Sequence, residues 1–166
     1  MTGEEREPRF ICDRMAGSLC RYLRFMGYDT LDANDLPAGN RKEDTCLLVR
    51  AAEEDRIILT RDAELARRDQ ARVVSLSEAA LPDQIRQLVV TGLIRPELRL
   101  CRCSLCNTPL IPVQEEEYAE IIRNSQNFSR RRAEVLWCPF CRKGYWEGTH
   151  TSRMRARIRT ITRGRE

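Results

Sequence analysis

The sequence predicts an α/β domain with a mostly parallel sheet flanked by helices, followed by a small cysteine-stapled appendage, and three observations carry that expectation. Ile57-Ile58-Leu59-Thr60 is an unbroken aliphatic and β-branched run, the mark of a strand buried on both faces of a parallel sheet. Leu19, Tyr22, Leu23 and Met26 recur at i, i+3, i+4 and i+7, so a helix precedes that strand. Two Cys-x-x-Cys pairs, Cys103/Cys106 and Cys138/Cys141, stand in the last third of the chain with thirty-one residues between them.

Taken in order, Arg9 to Cys12 is a short apolar strand that ends at Asp13, and the helix around Leu19 to Met26 stops at Gly27, in the position where a helix end favours glycine. Tyr28 to Leu31 is the return strand. The stretch from Asp32 to Arg41, with Asn34, Asp35, Pro37, Gly39 and Asn40, is a loop. A second helix runs from Glu43 to Glu54 with Leu47, Leu48, Ala51 and Ala52 inward, and the strand Ile57 to Thr60 follows. A short helix over Ala63 to Arg68, a strand over Arg72 to Leu76 and a helix over Pro82 to Gly92, with Ile85, Leu88 and Val89 inward, complete the alternation.

Four thiols in two such pairs can close a tetrahedral zinc site, each pair on a tight knuckle, with Pro139 and Gly144 supplying turn geometry to the second. Trp137-Cys138-Pro139-Phe140-Cys141 superficially resembles a redox motif, but Arg142 to Trp146 reads as turn and strand rather than the helix such a motif opens. A disulfide framework calls for a secretory leader, and the charged segment Met1 to Arg9 has no apolar core. The zinc is expected to be structural, since four thiolates leave no position for water. Cys101 overlaps the first pair but breaks the spacing and is left out. Cys12, Cys20 and Cys46 read as small buried hydrophobes in a reducing, cytoplasmic setting.

No apolar run approaches a membrane span, so no membrane partner is expected. The net charge of +4 is uneven: residues 1–99 carry 16 basic and 18 acidic side chains, and residues 100–166 carry 13 and 7. The excess sits in Arg130-Arg131-Arg132 and in a tail where Arg153, Arg155, Arg157, Arg159, Arg163 and Arg165 nearly alternate, a footprint for nucleic acid and equally a solvated tail. So basic a segment is expected to order on binding.

Two acids occupy strand ends: Asp13 directly after the first strand and Asp62 shortly after the third, while Asp44 lies in the first turn of the second helix. In a parallel sheet these share the carboxyl edge, where such folds place their sites. Each alone is ordinary turn or cap chemistry; together they suit Mg²⁺ or Mn²⁺ with phosphate oxygens. That is the inventory of metal-assisted phosphodiester hydrolysis. Asp35, Glu43, Asp69 and Asp83 all remain open as a fourth acid. Neither a nucleophile elbow nor a Gly-rich phosphate loop is present, and His150 is the only histidine.

The run Phe10-Ile11-Cys12-Asp13-Arg14-Met15-Ala16-Gly17-Ser18-Leu19-Cys20-Arg21-Tyr22-Leu23-Arg24-Phe25-Met26-Gly27-Tyr28-Asp29-Thr30, followed by Arg56 to Asp62, resembles the PIN-like ribonuclease domain first named from the C-terminus of the mut-seven exonuclease. Arg102-Cys103-Ser104-Leu105-Cys106-Asn107, Cys138-Pro139-Phe140-Cys141 and Tyr145-Trp146-Glu147-Gly148-Thr149-His150 are similar to the zinc ribbon that follows the PIN core in that family. The resemblance implies a PIN-like domain over 9–99, a zinc ribbon over 100–150 and a basic Arg-rich tail over 151–166. It implies catalysis by Asp13, Asp44 and Asp62 with bound Mg or Mn, Glu43 being able to replace Asp44. RNA is the expected partner, with a larger ribonucleoprotein or a homodimer left open. Arg14, Arg21, Arg24 and Arg61 flank the acidic edge and can position a phosphate backbone. Trp146 and Tyr145 can stack on a base, although packing is the leading expectation for both; His150 can contact phosphate, back up the zinc ligands or hold a structural hydrogen bond. The rival reading is a non-catalytic RNA-binding factor associated with tRNA or the ribosome.

Overall fold

The computed structural model describes residues 6–36, 43–77, 79–124 and 134–163. Four parallel strands, β1 (Phe10–Cys12), β2 (Thr30–Asp32), β3 (Ile57–Thr60) and β4 (Val73–Ser75), form one sheet in the order β2-β1-β3-β4. Register follows from burial on both faces: Ile11 sits opposite Ile58 and Cys12 opposite Leu59, so alternate residues of the two central strands point to opposite layers. Phe10, Cys12 and Leu59 face a cluster built by α1 (Gly17–Phe25) and α4 (Leu81–Val90). Ile11 and Ile58 face the other layer, with Leu47 and Ala51 of α2 (Glu43–Glu53) and Leu65 of α3 (Ala63–Arg68). The mixed α/β architecture with helices flanking a parallel sheet is thus the one the alternation predicts.

Details depart from the sequence reading where periodicity gave too little to choose. Ala52 and Cys46 of α2 are exposed, because the helix buries only the narrow Leu47–Ala51 stripe; Cys12 and Cys20 are buried as expected. Gly27 adopts φ 90° after Met26, and a Cβ there would meet the Arg99 guanidinium at 2.7 Å, so both conformation and space require glycine. Pro37, Gly39, Asn40 and Arg41 of the expected loop lie outside the described residues, as do Arg130, Arg131, Arg132 and Arg165.

Beyond α4 a second sheet forms from β5 (Ile111–Pro112), β6 (Val135–Cys138) and β7 (Lys143–Trp146), antiparallel in that order. Helix α5 (Glu115–Asn124), not anticipated from sequence, lays Ile121 against Val135 and Trp137. Gly144 serves this contact rather than a turn: Ile121 Cδ1 stands 2.7 Å from where a Cβ would be.

The largest correction concerns the expected tail. Residues Thr149–Thr162 form a helix, α6, that packs on α4 and closes the main core with Met154, Ile158 and Ile161. Thr151, Met154, Ile158 and Ile161 recur at spacings of three and four, a period that the alternating arginines conceal. The Gly148 amide donates to Thr151 Oγ1 at 2.8 Å and starts the helix, and Arg86 Nε donates to the Ile161 carbonyl at 3.1 Å. Ile158→Ala should therefore cost about 2–5 kcal/mol, read as a lower urea midpoint with an unchanged slope; a wild-type midpoint would mean that this helix is not part of the core.

Candidate functional site

The four cysteine sulfurs lie within 4.8 Å of one another. Zinc bound at the usual Zn–S distance of 2.3 Å sets sulfurs about 3.8 Å apart at the corners of a tetrahedron. Cys106 and Cys138 Sγ are 3.5 Å apart, and the quartet can hold a metal such as zinc. Each knuckle ends on a residue in the left-handed region, Asn107 (φ 68°) after Cys106 and Arg142 (φ 52°) after Cys141, so the turn that Gly144 was expected to help make is made without glycine. Backbone donors confirm the wrap: Cys141 N–H donates to Cys138 Sγ at 3.3 Å, and Asn107 N–H to the Cys103 carbonyl at 3.0 Å. Tyr145 sends its hydroxyl to within 3.1 Å of Cys103 Sγ and accepts from Ser104 N at 3.2 Å.

Crowded thiols titrate unequally. Burial opposes ionisation at Cys106, yet its hydrogen bonds with Thr108 and the neighbouring cysteines outweigh burial and bring it down to about 6. Burial, then Cys106 and Cys103, push Cys141 upward, and burial raises Cys138. Without a cation Cys106 ionises readily while Cys138 and Cys141 resist, an imbalance a divalent ion would remove. Cys101 and His150 are exposed and stand outside the quartet.

The ribbon is wired to the sheet through one buried cation. Arg24 on α1, 3% exposed, donates from Nε to the Thr30 carbonyl (2.9 Å) and from Nη1 to the Ser104 (3.2 Å) and Leu105 (2.6 Å) carbonyls of the first knuckle. Beside it, Asn107 accepts from Thr30 N–H at 3.1 Å and donates to Asp29 Oδ1 at 2.7 Å. Burial disfavours the Asp29 carboxylate, but hydrogen bonds from Arg56 and Asn107 hold it below the usual range.

The acids gather at the carboxyl edge of the sheet. Asp13 follows β1; its Oδ2 accepts from Thr60 Oγ1 at 2.7 Å and its Oδ1 from Arg14 N–H at 2.6 Å. Asp62 N–H donates to the same Thr60 hydroxyl at 2.9 Å, and Asp62 Oδ1 caps α3 by accepting from Glu64 and Leu65 N–H. Asp44 opens α2, 3.6 Å from Arg68. Its proton affinity is raised, first by burial and then by the Asp62 charge, with smaller pushes from Asp13 and Glu43 against the pull of Arg68. Asp44 thus feels Asp62 and Asp13, although among the described residues only the four thiols close to within 4.8 Å.

A model of the Mut7-C RNAse domain matches residues 8–158. The chain belongs to the Mut7-C RNAse domain family. No curated protein and no solved structure gives a match. Membership points to a nuclease-like, RNA-related function, and none of the described helices is long and apolar enough to cross a membrane.

Of the other residues marked from sequence, Arg14 and Arg61 flank the acids, and Arg14 Nη2 is buried with no hydrogen-bond partner among the described residues. Arg21 and Arg153 are exposed. Arg155 is held by Glu147 through two hydrogen bonds, and Arg157 lies 5.9 Å from the Tyr22 ring centroid. Tyr145 packs, with Phe25 of α1 at its cluster, whereas Trp146 packs within the ribbon beside Ile121. Sequence reasoning missed Thr60, whose hydroxyl joins Asp13 to Asp62; a hydroxyl at the last residue of a buried strand was the available signal. It also saw Arg24 only as a surface arginine, because α1 reads amphipathic whether or not an arginine is buried on it.

Metal analysis should return about one zinc per chain, and Cys138→Ser should lose it; a chain free of zinc after purification under reducing conditions would refute the site. Arg24→Ala should keep the zinc yet destabilise the fold by about 2–5 kcal/mol, because three carbonyls lose their donor. Hydrogen exchange should then quicken in residues 103–108, and unchanged protection there would refute the coupling.

Proposed function

We propose that this chain is a metal-dependent ribonuclease that hydrolyses RNA phosphodiester bonds at a Mg or Mn centre held by Asp13, Asp44 and Asp62. The observation that carries the reading is geometric: Asp13 and Asp62 follow β1 and β3 at the carboxyl edge of a parallel sheet and both touch the Thr60 hydroxyl, with Asp44 at the start of α2 near enough to feel their charges. Carboxylate oxygens form the donor set hard cations take, and a divalent ion there would supply Lewis acidity toward the scissile phosphodiester.

The chain's own residues do the positioning. Thr60 donates to Asp13 Oδ2 and accepts from the Asp62 amide, which holds the Asp13 carboxylate and the Asp62 backbone relative to β3, while Glu64 and Leu65 N–H hold the Asp62 carboxylate. Arg14, with its unpartnered Nη2 beside this edge, and exposed Arg61 receive phosphate oxygens. In this reading residues 9–99 form the nuclease unit and 100–150 the zinc ribbon. Ribbon and α6 grip the RNA, with exposed Arg153 and Arg157 supplying sequence-independent charge and exposed His150 contacting phosphate.

A second reading, a non-catalytic RNA-binding factor acting at tRNA or the ribosome, is favoured by one observation: Asp13 accepts hydrogen bonds at both oxygens, and Asp62 serves as a helix cap, as structural acids do. The two readings separate in one assay. Asp13→Asn and Asp62→Asn should each lower metal-stimulated cleavage of labelled RNA by at least about a hundredfold while circular dichroism stays unchanged; cleavage that persists in both variants would sink the nuclease assignment, and binding with no metal-stimulated cleavage by the wild type would establish the second reading.

A pH dependence follows from Asp44. Its folded proton affinity is raised, so as pH falls from neutral it is protonated before an ordinary aspartate, and protons displace the cation earlier. Apparent Mn²⁺ affinity should therefore weaken on acidification in the wild type and do so less steeply in Asp44→Asn; equal slopes would remove Asp44 from the centre.

A further inference from the structure

A cleft of about 500 Å³ opens between the start of α1, the turn after β2 and the first zinc knuckle, within the size range of small-ligand sites. Gly17, Ser18, Arg21, Asp32, Asp35 and Leu105 line it. It lies beside the acidic edge: Cys12, the residue before Asp13, pairs with Asp32, so Asp32 and Asp13 stand at the ends of neighbouring strands spaced about 4.8 Å apart.

The lining has three chemically distinct parts. Asp32 Oδ1 is occupied by Asn34, accepting from its N–H at 2.9 Å and its Nδ2 at 2.8 Å, whereas Oδ2 takes no hydrogen bond among the described residues. On the α1 side residue 17 is glycine, and a Cβ there would stand 3.6 Å from that oxygen. The Asp35 side chain is 62% exposed and touches Arg24 only at 3.5 Å. The second part is apolar: Leu105 is 43% exposed, and its carbonyl is fixed by Arg24, so the wall is pre-set. The third is Arg21, exposed and without an ion-pair partner among the described residues.

Two carboxylates with open oxygens repel a phosphate and ask for N–H donors. An apolar wall beside them suits the face of a planar ring, and a free guanidinium nearby suits the phosphate attached to it. Among the four RNA bases guanine alone presents two adjacent donors, N1–H and the N2 amino group, along one edge. Adenine and cytosine place an acceptor beside their amino group, and uracil flanks its single N–H with carbonyls.

We infer that this cleft is a base pocket for an unpaired guanine in single-stranded RNA, adjacent to the nucleotide whose phosphate lies at Asp13. The inference rests on the ribonuclease reading and deepens it: Asp32 and Asp35 read the guanine edge, Leu105 stacks on its face and Arg21 holds the neighbouring phosphate. A base paired in a duplex has that edge occupied and is not read.

The test uses the full chain carrying Asp13→Asn to prevent cleavage, with fluorescein-labelled hexauridine and hexamers in which one central uridine is replaced by guanosine, adenosine or cytidine. Fluorescence anisotropy should show the guanosine hexamer bound about tenfold more tightly than the other three, the discrimination expected of one bidentate base contact. Adding Asp35→Asn should reduce that ratio to below about twofold without changing hexauridine affinity, and Arg21→Ala should weaken all four hexamers alike. Equal affinity for all four, or a preference for another base, overturns the pocket while leaving RNA binding intact. A guanine preference that appears only when Mg²⁺ is added assigns the acid pair to a cation and overturns it as well. Failure to bind any hexamer removes the ribonuclease reading and the pocket together.

Discussion

Arg24 is a charge removed from water and spread over three backbone carbonyls, and the relation between the two sheets depends on it. A guanidinium can serve this purpose because its donors are fixed in a plane and can reach β2 and the first knuckle from one position on α1. Burying the ion is costly, and the carbonyls it satisfies would themselves be costly to leave unmet, so the arrangement is stable only when both sides are present. The same helix starts immediately after the 3₁₀ turn that Asp13 caps. Ribbon, helix and acidic edge therefore share one rigid lever, and the metal quartet at one end and the carboxylates at the other are joined through packed backbone.

Electrostatics in the two sites follow opposite routes. In the ribbon, four thiols compete for protons in a confined space, and hydrogen bonds single out Cys106 as the first to ionise. At the sheet edge the carboxylates are more open, and Asp44 is raised by burial and by the Asp62 charge, with Arg68 as partial compensation. One site has its four sulfurs within 4.8 Å of one another; the other has charges placed at strand and helix ends that do not close to that distance. The cleft beside Asp32 differs again, since Asp32 Oδ2 there takes no hydrogen bond among the described residues.

The parts legible from sequence were those in which local pattern and global position agree. Ile57 to Thr60 reads as a buried strand because every residue in it is apolar or β-branched, and Asp13 and Asp62 read as edge acids because a parallel sheet places strand ends together. The cysteine spacing stated its own geometry. What stayed hidden depended on contacts between distant segments. Helix α6 was obscured because arginines flank its buried stripe on both sides, so composition spoke louder than the period of Thr151, Met154, Ile158 and Ile161. Arg24 and Thr60 were hidden for a related reason: a single residue carries no period, and only the fold shows that one is buried between the two sheets and the other bridges the Asp13 carboxylate and the Asp62 amide.

Helix α6 also sets an order of events. Its apolar stripe fills a core whose other walls are built by the first ninety residues, so sheet and flanking helices are synthesised with one side of that core open. Met154, Ile158 and Ile161 are synthesised after the ribbon whose four cysteines can hold a metal. Closure of the hydrophobic interior is therefore a contact of very high sequence separation, the kind that slows folding and exposes apolar surface while it is awaited. A chain lacking these residues carries its acidic edge on a fold whose core has one side open.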